Sequence, residues 1–394
     1  MDKDFTKNTA SEISVLSISF DRGIFNESSE PQNRVISQGK KFKEIHVIVF
    51  SKFGSNLKPQ KLAENIWIYP TNSLSRFLHI HRAKSLGRKI LKGNSGSWIV
   101  TAQDPFESGL SALEISKEFS IPFYVQVHTD FLSPWFSKGS FFNKLRLAIS
   151  RDVLSEADGI RVVSKRVRDS IIDSDIKIKC AIDILPVYVE SNYLEGNLKS
   201  DFLSKKYPDF KFIILTVSRL SKEKDIETAI KVLANVSGKY FHAGLVVVGN
   251  GREESRLKRV ASNLGVADRV IFEGEVKHVD LWKYYASANI FLQTSLFEGF
   301  GRSLVEATLL KCPFLSTDVG IASDLVCGDV SVCKVRDEEC LSFGIMRFIN
   351  DGNLRVKKSQ EALENLEKII ILDKEKYLNS YADLLVKTYG RKIK

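Results

Sequence analysis

From Ser14 to Thr317 short apolar runs alternate with segments of helical spacing, and the alternation passes along the chain twice. Few features constrain a fold more. A strand returned by a helix to a parallel neighbour is a βαβ unit, and a series of them builds a doubly wound sheet. The first series predicts strands at Ser14–Phe20, Ile45–Ser51, Ile66–Tyr69, Trp98–Thr101, Phe123–His128 and Ile160–Val163. Several are continuous apolar runs, which suits a sheet covered on both faces. Between them, Ser111–Phe119 mixes Leu113, Ile115 and Phe119 with Glu114, Lys117 and Glu118 in helical spacing.

A polar stretch, Ser191–Asp209, reads as an interdomain connection. The alternation then restarts, with strands expected at Phe212–Val217, Leu245–Val248, Val270–Phe272, Ile290–Gln293 and Phe314–Thr317. Helices are expected at Asp225–Asn235 and Glu253–Leu264. The tail is helical, with Leu378, Tyr381, Leu384 and Leu385 on one face and a basic end. The expected fold is α/β, with two Rossmann-like doubly wound domains, residues 1–190 and 191–372, followed by a helix over 373–394. Such domains bind ligands at the carboxyl ends of their strands, so a site is expected in the cleft between them.

Composition narrows the class. With 43% hydrophobic and 27% charged residues, the chain is globular rather than disordered. No apolar run approaches the roughly 18 residues of a membrane span. Asp2, Asp4 and Glu12 precede the first apolar stretch, where a signal peptide would be basic. Five cysteines with no C-x-x-C pair disfavour a disulfide framework and a zinc site, and point to a reducing, cytoplasmic setting. The net charge is +10 and unevenly spread. Asn65–Gln103 holds no acid but carries Arg76, Arg82, Lys84, Arg88, Lys89 and Lys92. Phe131–Arg151, also acid-free, sets Lys138, Lys144, Arg146 and Arg151 among Trp135, Phe136, Phe141 and Phe142. Such interleaving suits an anionic membrane surface; the alternative is a solvated helix face beside core aromatics.

The most informative segment is Ser295–Ala307, where an expected strand runs through Glu298-Gly-Phe-Gly-Arg-Ser303 into a helix. Gly299 and Gly301 let a ligand approach the backbone. The helix N-terminus offers free N–H groups to a phosphate or sugar oxygen. Glu298 and Glu306 can accept bonds from sugar hydroxyls. Ser303-x-x-Glu306 is also a capping box, which would make Glu306 structural. Upstream, Arg219 and Lys224 follow a strand; two fixed cations can clamp a diphosphate, or can pair with Glu223, Asp225 or Glu227. Gly249-Asn-Gly251 invites a dinucleotide reading, but the third glycine position is Glu254, so a nicotinamide fingerprint is rejected.

Taken in order, Arg219, Lys224, Gly249–Gly251, Val270–Gly274, Leu281–Asn289, Glu298–Glu306 and Lys311–Gly320 resemble the donor-binding domain of glycosyltransferase family 4, the retaining GT-B-fold transferases also called glycosyl transferases group 1. Val125–Asp130 and Leu154–Ser164 resemble the family's N-terminal domain. The resemblance implies that Arg219 and Lys224 hold a nucleotide diphosphate, that Glu306 bonds the ribose, and that Glu298 with Gly299, Phe300 and Gly301 holds the sugar beside Arg302 and Ser303. Gly249, Gly251, Phe272 and Gly274 would border the nucleobase. His128 would lie near the sugar, where the alternative is a packing histidine. Acceptor-side candidates are Asp21, Arg22, Gly23, Asp104 and Glu107. The terminal helix would cross back to the first domain.

Three departures stand out. Asp21–Phe25 holds one glycine where a Gly-Gly loop is frequent, Asp225 replaces the glycine that often follows the lysine, and Arg302-Ser303 replaces an apolar pair. The implied activity is transfer of a hexose-type sugar from a nucleotide-sugar to a glycan or lipid-linked glycan in cell-surface polysaccharide synthesis, with retention and no obligatory metal or cofactor. The enzyme would be cytoplasmic, with a peripheral place on the inner face of the plasma membrane as the further expectation, and no nucleic-acid partner is expected. Alternatives are a nucleotide-sugar epimerase or hydrolase, or a non-catalytic nucleotide-sugar-binding protein.

Overall fold

Ile13-Ser-Val-Leu-Ser-Ile-Ser19 is buried at every position, so neither face of this strand meets water. A computed structural model of the chain describes residues 9–76, 78–190, 200–326 and 331–392. The chain divides into two compact units. One comprises Met1–Leu132, Ser140–Leu185 and Asp373–Lys394; the other comprises Ser133–Gly139 and Pro186–Leu372.

The first unit holds β1 (Ile13–Ser19), β2 (Glu44–Val49), β3 (Gln60–Ala63), β4 (Ile66–Pro70), β5 (Ser97–Ala102), β6 (Phe123–Val127), β7 (Gly159–Val162) and β8 (Ile182–Ile184). Their order is β3-β4-β2-β1-β5-β6-β7-β8. All neighbours are parallel except β3, which runs antiparallel on the β4 edge. The chain winds outward from β1 to β2 and β4, then returns to β5 on the other side of β1. The strand order therefore reverses between β1 and β5, the place where doubly wound sheets open a crevice. The helix Lys374–Lys392 completes this unit. It buries Leu378, Tyr381 and Leu385, and its Lys392 bonds Asp158 at 2.7 Å. Buried Arg161 of β7 reaches the same helix, donating to Tyr377 Oη at 2.8 Å, to Gln126 Oε1 at 2.7 Å and to the Leu185 carbonyl.

The second unit holds β9 (Phe212–Val217), β10 (Ala243–Val248), β11 (Val270–Gly274), β12 (Ile290–Gln293), β13 (Phe314–Thr317) and β14 (Val332–Cys333) in the order β11-β10-β9-β12-β13-β14, all parallel. Its reversal falls between β9 and β12. The helix Ile226–Ser237 packs Ile226, Ile230 and Leu233 into a core shared with β9, β10 and the helix Glu338–Asn350.

The main strands lie where apolar runs predict them. Three were not expected. The edge strand β3 is short, with Gln60 and Lys61 exposed and Leu62 and Ala63 half-buried, β8 has three residues, and β14 has two. Within the expected connection, Phe202–Lys206 is a helix, and residues 191–199 lie outside the described part. The cysteine reading needs correction. Cys333 of β14 is disulfide-bonded to Cys340 in the first turn of the following helix. A strand-to-helix turn brings the two sulfurs together without a C-x-x-C spacing. Cys180 and Cys312 are free thiols.

Candidate active site

A pocket of about 480 Å³ opens at the reversal point of the second sheet. Its walls are the carboxyl end of β9 (Thr216, Val217, Ser218), that of β12 with the residues after it (Phe291–Ser295), and Lys224, Glu298, Gly301, Arg302 and Ser303. Thr294 fixes one wall to the other, since its Oγ1 donates to the backbone carbonyls of Lys224 (3.1 Å) and Asp225 (3.0 Å). Leu296 N–H donates to the Glu223 carbonyl at 2.8 Å. The two loops are thus laced together by backbone bonds, which holds their charged side chains in register.

Lys224 Nζ donates to Glu298 Oε1 at 2.5 Å, and Ser295 Oγ donates to the same oxygen at 2.8 Å. Both charged side chains are mostly buried, at 17% and 15% exposure. Gly301, with φ 93°, caps the helix Arg302–Leu309, and Gly301, Arg302 and Ser303 line the pocket, so the helix N-terminus borders it. A cation, a carboxylate and a helix N-terminus therefore converge on one space. That set complements a phosphate next to a hydroxylated ring.

Glu306 is 8% exposed and lines a second, mostly apolar recess with His278, Trp282 and Tyr285. Its Oε1 accepts from Arg302 Nε at 2.9 Å and lies 3.0 Å from His278 Nε2; its Oε2 accepts from Tyr285 Oη at 3.0 Å. Burial alone would raise this carboxyl, but the His278 bond and the Arg302 charge hold it below the ordinary value. The capping-box alternative fails on geometry. The helix begins at Arg302, so Ser303 is already inside it, and Glu306 bonds side chains instead. Neither His278 nor Tyr285 was singled out by sequence reasoning as a site residue. Both lie within or beside the family-like Leu281–Asn289 segment, but only the fold brings them to Glu306.

Other expected donor residues stand apart from the first pocket's lining. Arg219 is 79% exposed and pairs with Glu223 at 3.4 Å. Phe300 is buried as a packing residue, and its carbonyl accepts from Ile321 N–H. Gly249 and Gly251 are required by close packing: an added Cβ would lie 2.0 Å from the Ser218 carbonyl oxygen or 2.2 Å from that of Leu220. Gly249 N–H donates to the Gly274 carbonyl at 2.7 Å, which joins the ends of β10 and β11. Phe272 lies under Lys258 Nζ, 5.5 Å from the ring centroid. Gly299 follows Glu298 in the buried turn.

In the first unit, the acceptor-side candidates gather at that sheet's own reversal point. Asp21, Arg22 and Gly23 follow β1, and Asp104 and Glu107 follow β5. Asp21 lines a small pocket with Ser19, Gln103 and Tyr381, caps the Arg22–Phe25 turn, and pairs with Arg34 at 3.2 Å. Burial pushes Asp104 up to about 6, against hydrogen bonds from Ser108 and the Phe106 N–H. Glu107 is held by Arg146 Nε through both oxygens. His128, directly after β6, is half-buried, with Nε2 fully enclosed and without a hydrogen-bond partner among the described residues. Burial, with Arg161 and Arg34 nearby, pushes its ring down to about 3, so it is neutral at ordinary pH.

The basic windows resolve unevenly. Lys84 and Arg88 pair with Glu114 and Glu118, the solvated-face alternative. Phe136 is buried against Phe297, and Trp135 is half-buried between Lys138 and Arg336, so neither is a free surface aromatic. Phe141 (80%), Phe142 (52%) and Leu145 (51%) are exposed on the helix Phe141–Ser155. Asp173-Ser-Asp175 has the letters of a metal site, but Asp175 pairs with Arg151. Among the described residues no group of three or more potential ligands could hold a metal.

Residues 41–182 match the family described as Glycosyltransferase Family 4, and residues 200–365 match Glycosyl transferases group 1. The chain is 29% identical over 285 residues to the alpha-monoglucosyldiacylglycerol synthase of Streptococcus pneumoniae, across 68% of this chain and 64% of that relative's length. Sucrose-phosphate synthase from Thermosynechococcus elongatus superposes with a TM-score of 0.78 at 16% identity, covering 96% of this chain and 100% of that one. Anabaena HepE, solved with UDP and glucose, superposes with a TM-score of 0.73 at 17% identity, covering 95% and 99%. These two likenesses establish the fold.

Proposed function

Since the chain belongs to the family 4 glycosyltransferases of the GT-B fold, we propose that it moves a hexose-type sugar from a nucleotide-sugar to a glycan or lipid-linked glycan, with retention at the anomeric carbon. The observation that carries this reading is the pocket at the β9/β12 reversal, where Lys224, Glu298 and the Arg302 helix N-terminus converge. Lys224 and the helix N–H groups meet the diphosphate and stabilise the negative charge that grows as the anomeric C–O bond breaks. Glu298 accepts bonds from sugar hydroxyls, and its own bond to Lys224 keeps both groups aimed before the donor arrives. In a front-face displacement the acceptor oxygen bonds to the anomeric carbon on the side the diphosphate leaves, and its proton passes to a departing phosphate oxygen. No protein nucleophile is then needed.

The relative named as an alpha-monoglucosyldiacylglycerol synthase supports a lipid-linked acceptor, and the neighbour solved with UDP and glucose supports a nucleoside-diphosphate donor. No helix among the described residues is long and apolar enough to cross a membrane. The exposed Phe141, Phe142 and Leu145, with Arg76 lying 5.8 Å over the Phe142 ring, support peripheral attachment to an anionic inner leaflet.

The test is donor turnover with UDP-, GDP- and ADP-sugars, with and without a lipid-linked glycan pool. Acceptor-dependent release of nucleoside diphosphate, and a product whose anomeric configuration by NMR matches the donor's, support the reading. Turnover without acceptor points to an epimerase or hydrolase. Binding without turnover points to a non-catalytic protein.

A further inference from the structure

The residue after Lys224 is an aspartate in left-handed backbone. Asp225 has φ 46°, a conformation glycine adopts freely and aspartate tolerates through local side-chain bonds. Its side chain is 8% exposed. Oδ2 accepts from Thr228 Oγ1 at 2.8 Å and from Arg336 Nε at 3.2 Å. A glycine here would need neither partner, so the departure from the family pattern introduces a buried charge and, with it, a requirement for a cation.

Arg336 is well placed to supply it. The residue sits between β14 and the helix Glu338–Asn350, in a loop closed by the Cys333–Cys340 disulfide. Its own backbone is left-handed, at φ 63°. Asp337 next to it caps the helix by accepting from the Cys340 N–H at 2.9 Å. The guanidinium lies 4.8 Å from the Trp135 ring centroid. Covalent closure, a helix cap and an aromatic face all fix where this arginine points. Most half-exposed ion pairs contribute little because both partners wander; here the carboxylate is buried and the arginine is anchored.

We infer that Arg336 is a positioning residue for Lys224, acting through Asp225. The inference rests on the reading that Lys224 grips the leaving diphosphate. With Arg336 in place, the Asp225 charge is compensated by the guanidinium and by the Thr228 hydroxyl. The ammonium is then left to Glu298 and the donor. Without Arg336, an uncompensated carboxylate stands one residue from the diphosphate site, where it opposes the anion and draws Lys224 toward itself. Removing that carboxylate as well relieves the defect, because glycine holds the φ of 46° without it. The pair therefore has a signature that a merely structural arginine lacks: the second substitution rescues the first.

The full chain is tested as Arg336→Ala, Arg336→Gln, Asp225→Gly, the double Arg336→Ala/Asp225→Gly, and Lys224→Ala. UDP, GDP and ADP are titrated by calorimetry, and kcat and KM are measured with the nucleotide-sugar of whichever binds. We expect Arg336→Ala to lose about 10-fold in kcat/KM and the double variant to recover to within about 3-fold of the parent. Arg336→Gln, which keeps a hydrogen-bond donor but no charge, falls with Arg336→Ala and serves if that variant does not fold. Parent-like kinetics in both Arg336 variants, or a double variant no better than Arg336→Ala, overturns the inference. If Lys224→Ala also binds and turns over normally, the donor reading has failed; if Lys224→Ala is crippled while Arg336→Ala is silent, only the positioning role has.

Discussion

Lys224 Nζ and Glu298 Oε1 meet at 2.5 Å although the residues stand 74 positions apart. The contact exists because β9 and β12 are neighbours in the sheet but not in sequence. The loops that leave their carboxyl ends must face each other across the reversal point. Each charge is desolvated enough to need the other, and together they present one cationic and one hydroxyl-accepting group to the pocket.

Replacing Lys224 by Ala should therefore cripple transfer. One charge-assisted contact to a leaving diphosphate supplies on the order of 2–4 kcal/mol of barrier reduction, roughly a 30- to 1000-fold rate loss. Arg219→Ala should also slow transfer, but with almost no change in melting temperature, because its ion pair with Glu223 is exposed. Initial rates and thermal melts on both variants check this. Parent-like rates in Arg219→Ala would restrict the diphosphate clamp to Lys224.

Glu306→Gln is expected to weaken both donor binding and the fold. Its buried carboxylate serves Arg302, Tyr285 and the His278 ring, and a neutral amide matches them less well, at about 1–3 kcal/mol. The pH dependence has a definite sign. A carboxyl held below its unfolded value contributes stability above the unfolded pKa and loses it as pH falls through the folded one. Urea melts should show a gap between parent and variant at neutral pH that narrows as pH falls below the ordinary carboxylate range. A gap that persists undiminished in strong acid would contradict the network.

His128 reports through protons rather than rate. The folded ring sits near 3 while the unfolded ring titrates near its ordinary 6.5. Between those values the unfolded chain binds the extra proton, so this residue makes stability rise with pH by up to about 1.4 kcal/mol per unit. His128→Gln should flatten the acid limb of the urea-melt profile between pH 4 and 6 relative to the parent. Unchanged slopes would mean that the ring is hydrated in solution.

Much of the fold was legible because continuous apolar runs are what a twice-covered parallel strand needs, and β9, β12 and β13 begin and end at the expected residues. The four-residue edge strand β3 carries no such run, since only Leu62 and Ala63 are apolar and neither is fully buried. Lys224, Glu298 and the Gly301 helix start were legible as a strand–turn–helix signature. His278 and Tyr285 were not, because their role depends on meeting Glu306 across the fold. Arg336 was silent for the same reason: its partner lies 111 positions away. The Cys333–Cys340 bond was obscured by an odd cysteine count.

That disulfide should be visible as a linked peptide in a non-reducing digest and absent after treatment with a thiol reductant. Closing so short a loop restricts the unfolded chain by about 2.5 kcal/mol in the chain-entropy account. Reduction should lower the urea midpoint accordingly, with Cys333→Ser matching the reduced parent. Five free thiols in the denatured, unreduced chain would refute the pairing.

Membrane attachment is expected to depend on a narrower set of residues than the basic windows suggest. Arg146 is held by Glu107, Arg151 by Asp175, and Phe136 is buried, so these have little to offer a lipid surface. Phe141, Phe142 and Leu145 are exposed on one helix, Lys144 lies among them, and Arg76 covers the Phe142 ring. Each basic residue near an anionic leaflet contributes about 1 kcal/mol, and insertion of the aromatic rings adds an apolar term. The charge term is screened over about 8–10 Å at physiological salt, so binding should weaken as salt rises. Co-sedimentation with vesicles of anionic or neutral phospholipid measures it. The parent should bind anionic vesicles preferentially, Lys144→Glu should lose most of that preference, and Phe141→Ser/Phe142→Ser should lose the salt-resistant remainder. Arg146→Glu should instead destabilise the fold by repelling Glu107 while leaving the surface aromatics in place. Equal binding of the parent to both lipids, or to neither, would assign the exposed aromatics another role and leave the acceptor free to be a soluble glycan.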